Sequence, residues 1–290
     1  MRIKKSVGTR VGDFLIYTFL ILLTLSIIAP FWDILCESLA DGWVTGFARF
    51  WPSRVSFINY HEVLGNRTIW SGYRETIFRT VVGTALNMIC TIIGAYCMSK
   101  KRFPLRKLWT LMIVIPMFFG GGLIPSYLWN VQLGLRNTRW VLILPGLISS
   151  YNLIVMRNFF SGVPADLEES AYIDGANNLQ ILVRIYLPVS TAVLATVSLW
   201  NMVGHWNAWF DAAIYITDNK LLPLQIVLRR IINAGQEALE EMGGSSNVKT
   251  SRLDNLKSAT LFVVMLPIMC VYPFLQKYFM KGTLVGSIKG

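Results

Sequence analysis

The chain has 290 residues and a net charge of +11, with 54% hydrophobic and 15% charged residues, against roughly 45–50% and about 25% in soluble globular chains. Six stretches of 17 or more residues contain no Asp, Glu, Lys or Arg: 14–32, 80–99, 108–135, 140–156, 185–210 and 258–276. A bilayer core about 30 Å thick needs roughly 20 apolar helical residues to cross. The composition therefore excludes a soluble enzyme and a soluble nucleic-acid binder, and it predicts an all-α membrane protein with six transmembrane helices. In such a chain the positive charge serves topology and contact with anionic lipid headgroups rather than nucleic acid.

In chain order, Arg2, Lys4, Lys5 and Arg10 precede the first apolar stretch. They resemble the basic region of a signal peptide, but the run is too long and Ala29-Pro30-Phe31-Trp32 is a poor cleavage site. An uncleaved first helix is expected. After the second stretch, the loop 99–107 reads Ser-Lys-Lys-Arg-Phe-Pro-Leu-Arg-Lys, with five positive charges and no acid. The third stretch contains Pro116, Gly120-Gly121-Gly122 and Pro125, the fourth Pro145-Gly146, and the sixth Pro267 and Pro273. Proline removes an amide donor and kinks a helix, so breaks are expected in all three. Between the third and fourth stretches only Arg136 and Arg139 are basic. The positive-inside bias then places both termini, the loop 99–107 and a loop at about 158–184 in the cytoplasm. Segments 36–76 and 211–257 are expected outside, and residues 1–290 are expected to form one membrane domain.

Much chemistry is missing. There are two histidines, His61 and His205, and the sequence has no HExxH, no GxSxG and no GxxxxGK[ST] phosphate loop. No acid or base lies mid-span, so proton relays are not expected there. Cys36, Cys90, Cys97 and Cys270 show no CxxC pairing and read as small buried hydrophobes. Energy for uphill transport must come from another subunit, and no metal or cofactor is expected in this chain.

Residues 161–188 carry the most specific pattern. Pro164 suits a first helical position, with Asp166, Glu168 and Glu169 in the first turns where the helix dipole favours acids. Gly175 tolerates φ > 0 and supplies a stop or sharp bend, with Asp174 placed to accept backbone donors. A second short helix is expected over about 177–186, running up to Pro188. The segment resembles the EAA loop of binding-protein-dependent ABC importer permeases, through Glu169-Ser170-Ala171, Asp174-Gly175-Ala176 and Ile185-Tyr186-Leu187-Pro188. Ser170 stands where Ala is usual and Leu182 where Phe is common; both leave the packing face intact. The end of the chain, Gln276 to Gly290, resembles the tail of the maltose-type sugar permease group.

That resemblance implies a type I ABC importer permease fold in the bacterial cytoplasmic (inner) membrane. It implies a heterodimer with a second permease, two cytoplasmic ATPase subunits that bind ATP and Mg, and an external or periplasmic solute-binding protein. The implied ATPase-coupling residues are Glu168, Glu169, Ala171, Asp174, Gly175, Ala176, Leu187 and Pro188. The segment His205-Trp206-Asn207-Ala208-Trp209-Phe210-Asp211 is similar to a branch that handles oligo- and polysaccharide fragments. Sugars offer C–H faces to aromatic rings and hydroxyls to amides. Tyr151, Asn152, Trp200, His205, Trp206, Asn207 and Trp209 are therefore the candidate substrate path, and Trp residues at a membrane interface form an aromatic belt equally well. Arg229, Arg230 and Arg252 have the charge to meet an acidic sugar such as alginate, or to meet a binding protein or water. A permease for another solute, a membrane-embedded enzyme and a non-transporting scaffold stand as alternatives.

Overall fold

The computed structural model describes residues 7–42, 51–52, 54–241 and 247–287. Arg2, Lys4, Lys5 and residues 288–290 of the tail lie outside the described residues, as do 43–50 and 242–246 within the segments expected to be external. Three of the apolar stretches lie in long single helices: α1 (Val7–Ser38), α3 (Arg67–Ser99) and α13 (Asn247–Ser287), with the short α2 (Ile58–Gly65) before α3. The other three form bent pairs. Helices α4 (Arg106–Phe118) and α5 (Leu123–Gln132) meet at 117° across the glycine run. The 3₁₀ turns Arg139–Leu142 and Leu144–Gly146 meet α6 (Ser150–Ser161) at 49°. Next come α7 (Ala165–Ile173), α8 (Asn178–Ile181), a π-helical turn (Leu182–Tyr186) and α9 (Leu187–Val189). This last run meets α10 (Thr191–Asn207) at 86°, and α11 (Phe210–Tyr215) and α12 (Leu224–Glu241) follow. Among the described residues, three helices are long and apolar enough to cross a membrane alone, and the three bent pairs pass only as pairs.

Four expectations need correction. Helix α13 runs unbroken through Pro267 and Pro273; a membrane helix tolerates proline where neighbouring groups or local widening satisfy the freed carbonyls. The break in the fifth apolar stretch falls at Ser190, where the sequence showed none. Pro164 caps α7 from outside rather than opening it. The second short helix does not stop at 186: a π turn carries it through Pro188 to Val189, and such a turn is a usual place for a helix to absorb a proline. Of the cysteines only Cys36 is buried; Cys90 and Cys97 are half-buried and Cys270 is exposed, on helix faces that this chain does not cover.

Two compact units are built from this chain. In the first, residues 1–66 and 228–265, amide side chains satisfy the carbonyls around the end of α1, which have no intrahelical donor. Asn59 donates to Ser38 O (3.1 Å) and Ala40 O (3.0 Å), and Asn255 donates to Ala40 O (3.1 Å) and Gly42 O (2.9 Å). Arg252 pairs with Glu62 at 3.2 Å. The second unit, residues 67–227 and 266–290, is organised around α3, which packs against α6 and α10. A Cβ on Gly83 would stand 2.5 Å from His205 Nε2, so only glycine admits the α10 imidazole against α3. At the C-terminal end of α3 the core gathers Ala95, Tyr96, Met156, Phe160, Ile181, Leu182 and Tyr186.

Candidate functional site

The segment after α6 closes in a few residues because two local motifs abut. The Ala176 amide donates to Ala171 O (2.9 Å) and the Gly175 amide to Tyr172 O (3.0 Å), with Gly175 at φ +78°. That double closure around a left-handed residue is a Schellman motif. Its geometry explains the spacing in Ala171-Tyr172-Ile173-Asp174-Gly175-Ala176: the two alanines are joined by the wider of the two closing bonds, and both pack on the core. Asp174 caps through its backbone N–H to Ser170 O (3.0 Å); its carboxylate is exposed and accepts no hydrogen bond, contrary to the sequence reading. One residue later, Asn177 and Gln180 form a reciprocal capping box (2.9 Å each way) that starts α8.

A polar cluster fixes this turn to the end of α3. Glu168 Oε2 lies 2.6 Å from Lys100 Nζ and accepts from Tyr186 OH (2.8 Å), and Lys100 also donates to Tyr186 OH (3.0 Å). The ammonium lies over the Tyr96 and Tyr186 rings, 4.1 and 4.2 Å from their centroids, an arrangement attractive in its own right. Tyr172 OH donates to Asn178 Oδ1 (2.6 Å), joining α7 to α8. Burial alone would raise the Glu168 carboxyl. Hydrogen bonds from Lys100 and Tyr186, with the Lys100 charge, hold it below the usual carboxylate range instead. The same burial pushes Lys100 below its ordinary value.

The predicted coupling residues thus divide by side. Glu168, Ala171, Ala176 and Leu187 face the core or the cluster, whereas Glu169, Asp174, Gly175 and Pro188 are exposed. The outward side is strongly apolar for a turn joining two apolar stretches: Ile173 is 87% exposed and Leu179 68%, with Leu167 and Val183 also exposed.

The predicted substrate path divides too. Tyr151 on α6 and Trp200 on α10 are exposed and adjacent, with ring centroids 5.6 Å apart. Asn152 is buried and donates to Asn201 Oδ1 (3.1 Å). Asn87 donates to Gly146 O (2.9 Å) and Leu147 O (2.6 Å), carbonyls at the break before α6. Its Oδ1 is left as an acceptor, so the His205 Nε2–H donates to it at 2.7 Å. Trp206 is buried, Asn207 is exposed, and Trp209 packs edge-on against Phe210.

Sequence reasoning missed the charges at the other end of α3. Glu75 is 2% exposed and accepts a two-pronged bond from Arg139 (2.6 and 2.8 Å) and one from Arg74 (3.0 Å). Arg79, 4% exposed, pairs with Asp211 and donates to Ala208 O (3.3 Å). Arg79, Arg139 and Asp211 stand at the edges of charge-free stretches, where a count of charges says nothing about burial. The capping box was readable, since Asn177 and Gln180 have its spacing. The pairing of Lys100 with Glu168 carried no local signal.

Residues 86–285 match the family model described as binding-protein-dependent transport system inner membrane component. The chain is similar to the polygalacturonan/rhamnogalacturonan transport system permease protein YtcP of Bacillus subtilis, 37% identical over 97% of this chain and 99% of the relative. It is similar to protein LplC of the same organism, 40% identical over 82% of this chain and 81% of the relative. Among solved structures it resembles a chain of a bacterial ABC transporter involved in the import of the acidic polysaccharide alginate. That match has a TM-score of 0.86 and 30% identity, over 96% of this chain and 99% of the other.

Proposed function

The chain belongs to the family of binding-protein-dependent transport system inner membrane components, as a permease subunit rather than an enzyme, and from that premise we propose that it imports fragments of an acidic polysaccharide. The observation that carries the substrate class is a convergence. A relative aligned along nearly the whole chain is a permease for polygalacturonan and rhamnogalacturonan, and a structural neighbour belongs to an alginate importer. Both substrates are rich in uronate. The exposed Tyr151–Trp200 pair supplies the aromatic faces that sugar C–H groups favour, and it lines the path in this reading.

Each bent pair serves as one span, giving six, with both termini and the 165–181 turn on the cytoplasmic side. The apolar surface around Ile173 and Leu179 docks on an ATPase subunit. With no phosphate loop in this sequence, ATP and Mg belong to a pair of ATPase partners. A second permease completes the pathway, and a solute-binding protein delivers cargo from outside. ATP-driven closure of the ATPases becomes a rigid-body motion of the turn and the helices packed on it.

The test is reconstitution with the sibling permease, ATPase pair and binding protein. ATP hydrolysis should accelerate when the binding protein carries oligogalacturonate or oligoalginate, and far less with a neutral trisaccharide. Acceleration by a peptide-loaded binding protein, with none from any saccharide, would overturn the substrate class and leave the importer architecture standing.

A further inference from the structure

The turn 165–181 could follow an ATPase partner and still fail to move the membrane helices, if it swung on the non-helical residues 162–164 or bent in the π turn that follows it. The cluster at the end of α3 removes that freedom. Glu168 lies on α7, Lys100 one residue beyond α3, and Tyr186 in the π turn before α9. Their polar atoms close a triangle with sides of 2.6, 2.8 and 3.0 Å. Three chain segments therefore meet at one point through charge-assisted bonds. The Tyr186 ring adds edge-on contacts to Tyr96 (5.1 Å) and Phe160 (5.5 Å), which belong to α3 and α6. Each donor in the triangle has an acceptor, and both ionic side chains are more than four-fifths buried. A pair held this way is shielded from the solvent screening that weakens exposed salt bridges.

We infer that Lys100, Glu168 and Tyr186 are positioning residues for energy coupling: they lock the turn to α3, so that a displacement imposed at Ile173 is passed to the bundle instead of being absorbed at the turn's ends. The inference rests on the assignment of 165–181 as the ATPase-docking turn. None of the three needs to touch an ATPase, because all face the chain's own core. The loss should therefore appear in how much solute moves per ATP, with assembly and basal hydrolysis unchanged.

The measurement is uptake per ATP hydrolysed in the reconstituted complex, with complex yield and basal ATPase rate read in parallel. Glu168→Gln and Lys100→Met should lower uptake per ATP by roughly fivefold or more, the lower end of a typical coupling factor, at unchanged yield. Tyr186→Phe keeps the ring packing and removes only the hydroxyl, so it should fold normally and give a smaller drop in the same ratio. The exchanged pair, Lys100→Glu with Glu168→Lys, should recover part of the loss. Single variants with the parent's uptake per ATP would overturn the inference. So would a fall in uptake that merely tracks a fall in yield, with no change in the Tyr186→Phe ratio. Ile173→Asp separates the two claims. If it blocks ATPase association while Glu168→Gln leaves the ratio intact, the clamp fails alone; if ATPases still associate, the docking assignment fails.

Discussion

At one end of α3, Glu75 and Arg79 are sealed inside the bundle and meet Arg139 and Asp211 through paired bonds. At the other end, about 38 Å away at 1.5 Å per residue, Lys100 and Glu168 share their bonds with a tyrosine hydroxyl and keep a fraction of their surface open. The first cluster sets two ions with almost no access to water, Glu75 and Arg79, against partners nearer the surface, so losing Arg139 or Asp211 strands a buried charge. The second is a junction of three segments in which each group has two polar contacts, so losing one weakens the joint without emptying it. One helix thus carries a structural lock at its start and a mechanical joint at its end. One sealed ion in each pair at the first end, against two partly open ions sharing a hydroxyl at the second, separates the two roles.

The sharpest way to break this contrast is to remove one charge at the buried end. Asp211→Asn leaves the buried Arg79 without its ionic partner and should cost about 3–5 kcal/mol, read as a sharp loss of folded protein after detergent extraction. The reciprocal Arg79→Met leaves a carboxylate with some access to water and should be less damaging; an Asp211→Asn outcome milder than that of Glu168→Gln would invert the comparison.

A smaller effect is expected in the turn. Gly175 sits at φ +78° with nothing within 4 Å of where a Cβ would lie, so the penalty of Gly175→Val is backbone strain alone, about 1–2 kcal/mol. Uptake should fall steeply while the bundle stays folded, because the Schellman closure that orients Ile173 is lost. Asp174→Asn, one residue earlier, should change stability by no more than about 0.5 kcal/mol, since the carboxylate takes no part in the turn. Side-by-side melting and uptake measurements on the two variants check both statements.

The smallest effect is with pH. The folded Glu168 carboxyl lies below its ordinary value. Its contribution is therefore complete above the unfolded pKa of about 4.3 and is lost only as pH falls through the lower folded value. Uptake per ATP should stay flat as the pH on the turn's side falls from about 7 to about 5.5. A decline across that window would mean that Glu168 titrates high and that the clamp is weaker than drawn.

How far the sequence foretold these features follows from the range of each signal. The turn was legible because glycine at the bend, acids in the first turn of α7 and the spacing of Asn177 and Gln180 are local. The break between α4 and α5 was legible for the same reason, with three glycines in a row. Proline was a poorer guide: α13 absorbs Pro267 and Pro273, while the bend at Ser190 follows Pro188 rather than coinciding with it. The candidate sugar residues show the limit of residue type. Asn152 and His205 looked like ligand groups, yet folding directs them to Asn201 and Asn87. The Lys100–Glu168 joint and the Arg79–Asp211 pair join positions remote in sequence, and no periodicity encodes such a meeting.

In the proposed importer, ATP-driven force enters at the end of α3 that bears Lys100. Site-directed cross-linking tests it most directly. In a background with Cys36, Cys90, Cys97 and Cys270 replaced, a single cysteine at Ile173 should cross-link to an ATPase subunit, with a yield that changes between nucleotide-free and ATP-bound complexes. A cysteine at Lys220, beside Ser71 near the start of α3, should give none. Cross-linking from Lys220, with no product from Ile173 in either state, would contradict the account.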